Sequence, residues 1–590
     1  MKKILFLSLM SLLSAVLYAS PIDEGRARAI ASDFFGGAKV RSALSDVRLV
    51  WAGDSFPEAD KDLAGPFKTD NALMYIYNSA GKDGFVVVSG ETGTRPVIAF
   101  SREAGFNMRD MSPGTRGLLD GWCRQIAAVR EDRTSSDDSP GTEENIYGNV
   151  VKYYQTATWG QNEPYNLEAP EIDGARCVSG CVATALSIIA HYNRYPESGT
   201  GVIPEYQYGD GKFTMPANGL GRRYDYDKML MDYSGEYTEE QGKAVAALMK
   251  DIGDAVKMNY GVNESGAYDR DVSSALATYF GYSKDALVVW GNGYSPSEWV
   301  SMLKENIDGY GPTYFRGSNQ YGGHAFVLDG YTDTDYFSVN FGWNGVNNGY
   351  FLLPGLDYYQ YQAAFLNLKP DPDGTTAYKD YLCLDNVYYE DTQETFYGIM
   401  GVSDCYEKNT DFEIMLASIS NMGSVQFKGQ IKYVLCDSDG SCKADLTEPI
   451  DLTLDHNCRR IYGETSRMRV TSDIELGDRV RLYYKGDYSD DWKWMRDMEQ
   501  VGFSEVVLAS SPEQISDNMW LIYSKETRML EICSSFAIQC SLINPDTGNE
   551  MEGKAAPMKY VSFDLSGSPS GDYLLKVASG HDPLELHLVF

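Results

Sequence analysis

The sequence predicts an α+β chain in which a small α/β unit and a mixed middle domain precede a long β-rich C-terminal half. Three observations point there. Apolar residues recur at helical spacing in the first part of the chain, as in Ala27, Ile30, Ala31, Phe34 and Phe35. Two polar, turn-rich breaks, at 131–146 (EDRTSSDDSPGTEENI) and 369–376 (KPDPDGTT), divide the chain. Beyond the second break the segments alternate, are punctuated by turns and carry no strong helical pattern.

Strand-like runs at 73–77 and 85–89, joined by the turn-rich 78–84, follow the first helix. Leu118, Leu119, Trp122, Ile126 and Ala127 mark a second amphipathic helix, and this small unit ends near Arg130. The 131–146 break is acidic and cannot bury surface, so it reads as an exposed linker of the kind proteases cut. The expected boundaries are a leader at 1–20, the first unit with its linker at 21–146, a middle domain at 147–370, and β-sandwich units at 371–500 and 501–590.

At 590 residues the chain is too long for one core. Its 84 acidic residues against 51 basic ones give a net charge of −33, and no basic patch interleaves with aromatics, which excludes nucleic acid as a partner. Lys2 and Lys3 precede an uncharged apolar run from Ile4 to Leu17, followed by the small residues Ala19 and Ser20. That order predicts a secretory signal peptide, so the protein is expected to be secreted. The run is shorter than the ~20 residues of a span, and no later stretch could cross a bilayer, so the mature protein should have no transmembrane segment. No cysteine lies near the cleavage point for lipid attachment. Ten cysteines could form disulfides, seven of them beyond residue 380. No CxxC pair or HExxH motif occurs, so neither a metal nor a cofactor is expected.

The chemistry concentrates in the middle domain. Ser179-Gly180-Cys181 opens a segment in which Val182, Ala185, Leu186 and Ile189 mark one helical face. Cys181 would then sit in the first turn of a buried helix, where the positive end of the dipole favours a nucleophilic thiolate. A small buried core cysteine fits the same segment. A base must come from five histidines. His191 lies ten residues further along the same helix, about 15 Å away. His456, His581 and His587 belong to the C-terminal region. His324 remains, after two glycines, Gly322 and Gly323, that allow close approach, and before the strand-like run Ala325-Phe326-Val327-Leu328. Residues 336–340 (YFSVN) follow a turn at 332–335, so the two runs read as an antiparallel hairpin with Asn340 within a few residues of the position opposite His324. An amide there could hold the imidazole in the right tautomer. Trp343 could shield the pair from water, although a strand-end turn former and a core aromatic explain Asn340 and Trp343 equally well.

At these residues the sequence resembles the streptopain family of bacterial cysteine proteases. The matching stretches are Trp159-Gly160-Gln161, Pro164-Tyr165-Asn166, Gly180-Cys181-Val182-Ala183-Thr184-Ala185, Tyr195-Pro196 and Lys257-Met258-Asn259-Tyr260-Gly261. They continue with Gly323-His324-Ala325-Phe326-Val327-Leu328-Asp329-Gly330 and Val339-Asn340-Phe341-Gly342-Trp343. The resemblance implies a papain-like domain with the cysteine on a helix and the histidine on a sheet. It implies Cys181, His324, Asn340 and Gln161 as catalytic residues, Gln161 as an oxyanion donor, and a preference for a hydrophobic residue two before the scissile bond. Gly322, Gly323, Trp343 and Ser265 are the candidates for substrate contact. Residues 22–130 look like that family's propeptide, especially 83–90 (DGFVVVSG), which implies a prodomain that inhibits the enzyme until it is cleaved away. The family usually has tryptophan where this chain has Phe341, so an indole N–H is lost. Cys177 lies four residues before Cys181 and is either a redox lock or a bystander. Near the C-terminus, 561–566 (VSFDLS) and 571–577 (GDYLLKV) resemble the sorting domains of the Por-type secretion system, or equally a generic β-sandwich with a Gly-x-Tyr strand.

The expected whole is a papain-like cysteine protease domain preceded by a small α/β inhibitory prodomain and followed by C-terminal β-sandwich domains. Its partners are protein or peptide substrates and its own propeptide. Two other readings are a transglutaminase-like acyl transferase, which would incorporate amines, and a non-catalytic adhesin or binding protein acting through the C-terminal half. A dead scaffold has no reason to keep glutamine, cysteine, histidine and asparagine together.

Overall fold

In a computed structural model of the chain, the first unit begins with helix α1 (Glu24–Gly36), which buries Ala27, Ala31 and Phe34. Description extends to residues 20–36, 47–55, 69–80, 83–132, 147–319, 322–355, 359–390, 393–401, 408–437, 439–474, 478–498 and 504–508, and to the strands and adjoining residues within 513–589. The predicted signal peptide, most of the 131–146 linker and Cys405 lie outside these residues. By contacts the chain divides into one compact unit of Met1–Ala267 with Val300–Gln362, and a second of Tyr268–Trp299 with Ala363–Phe590.

The first unit is organised by one antiparallel sheet. Strands β1 (Val47–Gly53), β2 (Met74–Ser79), β3 (Phe85–Ser89) and β4 (Val97–Ser101) come from the N-terminal region. Strand β5 (Val150–Tyr153) follows helix α2 (Pro113–Asp132). Strands β6 (Thr313–Asn319), β7 (Gly322–Thr332), β8 (Phe337–Asn340) and β9 (Gly349–Phe351) complete it. The order is β1-β2-β3-β4-β9-β8-β7-β6, with β5 also on β7. Strands β3 and β4 are buried at every position, as their unbroken apolar runs require. They meet the rest of the sheet where β4 pairs with β9, Ala99 opposite Phe351 and Phe100 opposite Tyr350.

Helices α1, α2 and α3 (Cys181–Asn193) pack against this sheet. Helix α3 is buried from Val182 to His191, being apolar almost all round. It packs on β7 and on helix α4 (Glu239–Ala255). Thr238 and Gln241 form a reciprocal capping box at the start of α4. Helix α2 starts at Pro113 after Ser112, whose hydroxyl accepts from Thr115 N at 3.0 Å, and it lies on β6 and β7.

The second unit contains the helix Asp269–Phe280 and the strand Leu287–Trp290, which pairs with Ala363–Leu366. Its remainder is built of strands, and among the described residues no α-helix follows Tyr310. The two larger apolar clusters there span Leu382 to Leu508 and Met519 to Val577, each drawing on more than one sheet. The cysteines whose side chains are described form no disulfide. No described helix is long and apolar enough to cross a membrane.

Candidate active site

The chain enters α3 through Gly180, held at φ +88°. A Cβ there would come within 2.8 Å of Met258 Sδ and 3.0 Å of the Ser265 carbonyl oxygen, so only glycine fits this approach. Cys181 follows as the first helical residue and is half-buried. Burial alone would raise its pKa, but the hydrogen bond and positive charge of His324, with backbone N–H groups of Ala325 and Val182, bring it below the usual thiol value. The thiolate form of Cys181 is favoured accordingly.

His324 stands near the start of β7 and is buried. Its Nε2 lies 2.8 Å from the Phe341 carbonyl oxygen. A carbonyl only accepts, so Nε2 carries the proton, which leaves Nδ1 for the Cys181 sulfur. The Trp343 ring sits edge-on to the imidazole, with ring centres 5.9 Å apart.

The orienting bond expected of Asn340 belongs instead to the Phe341 carbonyl. The reason is register. Asn340 pairs with Val327, and residues opposite one another in a sheet project from the same face. Val327 and His324 have opposite parity along β7, so the Asn340 amide points away from the imidazole. It donates to Thr156 Oγ1 and the Ala157 carbonyl, both at 2.9 Å, and its Oδ1 accepts from Gly342 N at 3.2 Å.

Gln161 is buried beside the cysteine's approach. Its backbone oxygen accepts from Ser179 N at 3.0 Å and from Ser179 Oγ at 3.2 Å. Ser265 is one of the candidates for substrate contact. Its buried hydroxyl donates to Val178 O at 2.8 Å and accepts from Gly261 N at 3.0 Å, so it braces the chain leading to Gly180. Gly322 and Gly323 are exposed at the end of the β6–β7 pairing, and a Cβ on Gly322 would meet nothing within 4 Å.

The N-terminal region closes over the same place. Gly114, in the first turn of α2, packs so tightly on His324 that a Cβ there would lie 2.5 Å from His324 Cδ2 and 3.1 Å from Phe341 Cδ1. A cavity of about 520 Å³ has Arg109, Asp110 and Met111 on one side and Gln161, Asn162 and Trp343 on the other. Sequence reasoning passed over Gly114, the Phe341 carbonyl, Thr156 and Asp329. Of these only Asp329 leaves a visible sign, a lone carboxylate in the apolar strand run.

Comparison with known proteins bears on this geometry. The peptidase C10 family model matches residues 159–351, and the Spi protease inhibitor model matches residues 19–126. Streptopain from Streptococcus pyogenes is 30% identical over 343 residues, covering 52% of this chain and 83% of streptopain. The chain belongs to the peptidase C10 family. This C10 chain is a cysteine peptidase with an inhibitor-type prodomain. It is also 28% identical over 365 residues to the thiol protease/hemagglutinin PrtT of Porphyromonas gingivalis, covering 60% of this chain and 41% of PrtT. Among solved structures, Prevotella intermedia prointerpain A aligns with a TM-score of 0.44 at 28% identity, covering 51% of the C10 chain and 96% of the fragment. Active interpain A aligns with a TM-score of 0.34 at 32% identity, covering 39% and 95%.

Proposed function

We propose that the chain is the secreted zymogen of a cysteine endopeptidase, with Cys181 as nucleophile and His324 as base. The observation that carries this reading is the Cys181 thiol at the N-terminus of α3, hydrogen-bonded to His324 and lowered in pKa by it. The thiolate attacks a substrate carbonyl carbon. The Cys181 backbone N–H and the Gln161 side chain hold the resulting oxyanion. His324 gives its proton to the leaving amine, and water then hydrolyses the thioester. Trp343 covers the imidazole, and Gly322 and Gly323 leave room for a substrate backbone.

The prodomain, 21–146, keeps the enzyme latent by seating the start of α2 on His324 and the 109–111 segment beside Gln161. The catalytic domain, 147–370, is read as papain-like, with β-sandwich domains at 371–500 and 501–590. Export rests on the leader-like residues 1–20, and protein substrates follow from the endopeptidase reading.

The test compares wild-type and Cys181→Ala precursors under reducing conditions, by gel and by peptide release from casein. Wild type should shorten by loss of residues before about 150 and digest casein, while the variant does neither. Equal behaviour of the two would remove Cys181 from the mechanism.

A further inference from the structure

The base is held by a peptide carbonyl, so whatever fixes that peptide fixes the base. Phe341 sits in a turn that opens with Asn340, 2% exposed. Asn340 Oδ1 accepts from Gly342 N at 3.2 Å, closing the turn around the Phe341 carbonyl. Both Nδ2 hydrogens are spent on the other side, on Thr156 Oγ1 and the Ala157 carbonyl. The Thr156 hydroxyl donates in turn to Asp329 Oδ2 at 2.6 Å. A hydroxyl has one proton. With that proton given to Asp329, Thr156 can meet Asn340 only as an acceptor, which fixes the orientation of the amide. Thr156 and Asp329 are 6% and 4% exposed, so water does not compete for these bonds.

Asp329 occupies the β-bulge between Leu328 and Gly330, where β7 carries an extra residue against β8. Ser338 on β8, Tyr153 on β5 and Tyr350 on β9 face its carboxyl, and Glu103 adds negative charge nearby. Burial pushes the Asp329 carboxyl up to about 7, against the opposing influence of Ser338 and Thr156. A structural position has no need of so costly a group, since apolar residues of the same shape would fill the space. The chain of bonds also reaches the other half of the site. Thr156 and Ala157 lead directly into Trp159-Gly160-Gln161, and Asn344 N, beyond the turn, donates to Trp159 O at 3.1 Å.

We propose that Asp329 and Thr156 are positioning residues that act through Asn340, setting both the Phe341 carbonyl that holds His324 and the extended segment that delivers Gln161. This rests on the Cys181–His324 reading above. Full-length wild type, Thr156→Ser, Thr156→Val and Asp329→Leu chains are left to self-process under reducing conditions. The processing rate, kcat and KM on a chromogenic peptide, and the melting temperature of each precursor are measured. Thr156→Ser keeps the hydroxyl and should stay within about twofold of wild type. Thr156→Val and Asp329→Leu should lose about tenfold or more in kcat with KM within about twofold, because small misplacements of catalytic groups cost that much. A variant that melts like wild type but never matures counts as the same loss. The proposal falls if Thr156→Val keeps wild-type kcat, if Thr156→Ser is as slow as Thr156→Val, or if the loss lies in KM alone. Should Thr156→Val unfold, Asp329→Leu decides, and if both unfold the chain of bonds is structural and the proposal falls. A wild type that neither processes nor digests the peptide would sink the Cys181 reading instead.

Discussion

Gly114 is the residue at which the N-terminal region packs on His324. A Cβ added there would meet the imidazole at 2.5 Å, so no side chain fits between α2 and His324 without a shift. Gly114→Ala suits a helix better than glycine does, so the substitution leaves α2 itself intact. The added methyl must instead push α2 away from His324 and Phe341. Overpacking of this kind costs about 1–3 kcal/mol, here charged to the docked state of the prodomain. Full-length Gly114→Ala should therefore self-process about tenfold faster than wild type in a gel time course. Its Cys181 should also react faster with a small electrophile before any cut. A variant as slow as wild type in both would mean that latency does not depend on this contact.

At the scale of elements, α3 has a second end that matters for stability. His191 is buried beneath Trp159, with ring centres 4.7 Å apart. Burial pushes its pKa down to about 4, with Arg194 adding to the effect and a backbone bond at Met229 opposing it. Its folded value is depressed below the usual 6.5, so between those values the unfolded chain binds a proton that the folded chain refuses. Stability is thus complete above about 6.5 and falls with pH toward 4, by up to about 3 kcal/mol. In an inactive Cys181→Ala background, His191→Phe should lose part of this acid dependence when the melting temperature is followed from pH 7 to pH 4. Parallel curves for parent and variant would assign the acid limb to other groups.

The same elements show what could be read without coordinates. Val182, Ala185, Leu186 and Ile189 repeat at helical spacing, and the turn at 332–335 divides two strand-like runs, so the cysteine helix and the histidine hairpin were legible. The partner of His324 was not, because register is set by parity. The bulge at Asp329 and the pairing of Asn340 with Val327 put the amide on the other face, and neither leaves a mark in composition. In the first unit, α1, β2, β3 and α2 followed from their patterns. Strands such as Val97–Ser101 are short apolar runs that look the same in a helix or a sheet until their partners are known.

At the scale of the whole first unit, the prodomain is part of the sheet on which the enzyme is built. Beyond the β4–β9 pairing, Trp122 Nε1 donates to Leu352 O at 2.8 Å, and Gly355 N donates to Gln125 Oε1 at 3.0 Å. Asn107 and Asn347 exchange bonds of 2.7 and 2.9 Å, and the Phe100 ring stacks on Tyr350. None of these contacts runs through residues 133–146, so a cut in that linker removes none of them. Releasing the prodomain would also turn β9 into an unpaired edge and uncover Phe351, which opposes dissociation. Cutting and activation should therefore be separate events. Cys181→Ala precursor, nicked within 133–146 by a trace of wild type, should elute from a sizing column at the position of the uncut chain and come apart only in denaturant. Wild type should likewise show a lag between the first cut on a gel and the rise of casein digestion. If the nicked fragments separate at once and activity tracks the first cut without delay, the tether rather than the shared sheet holds the prodomain in place.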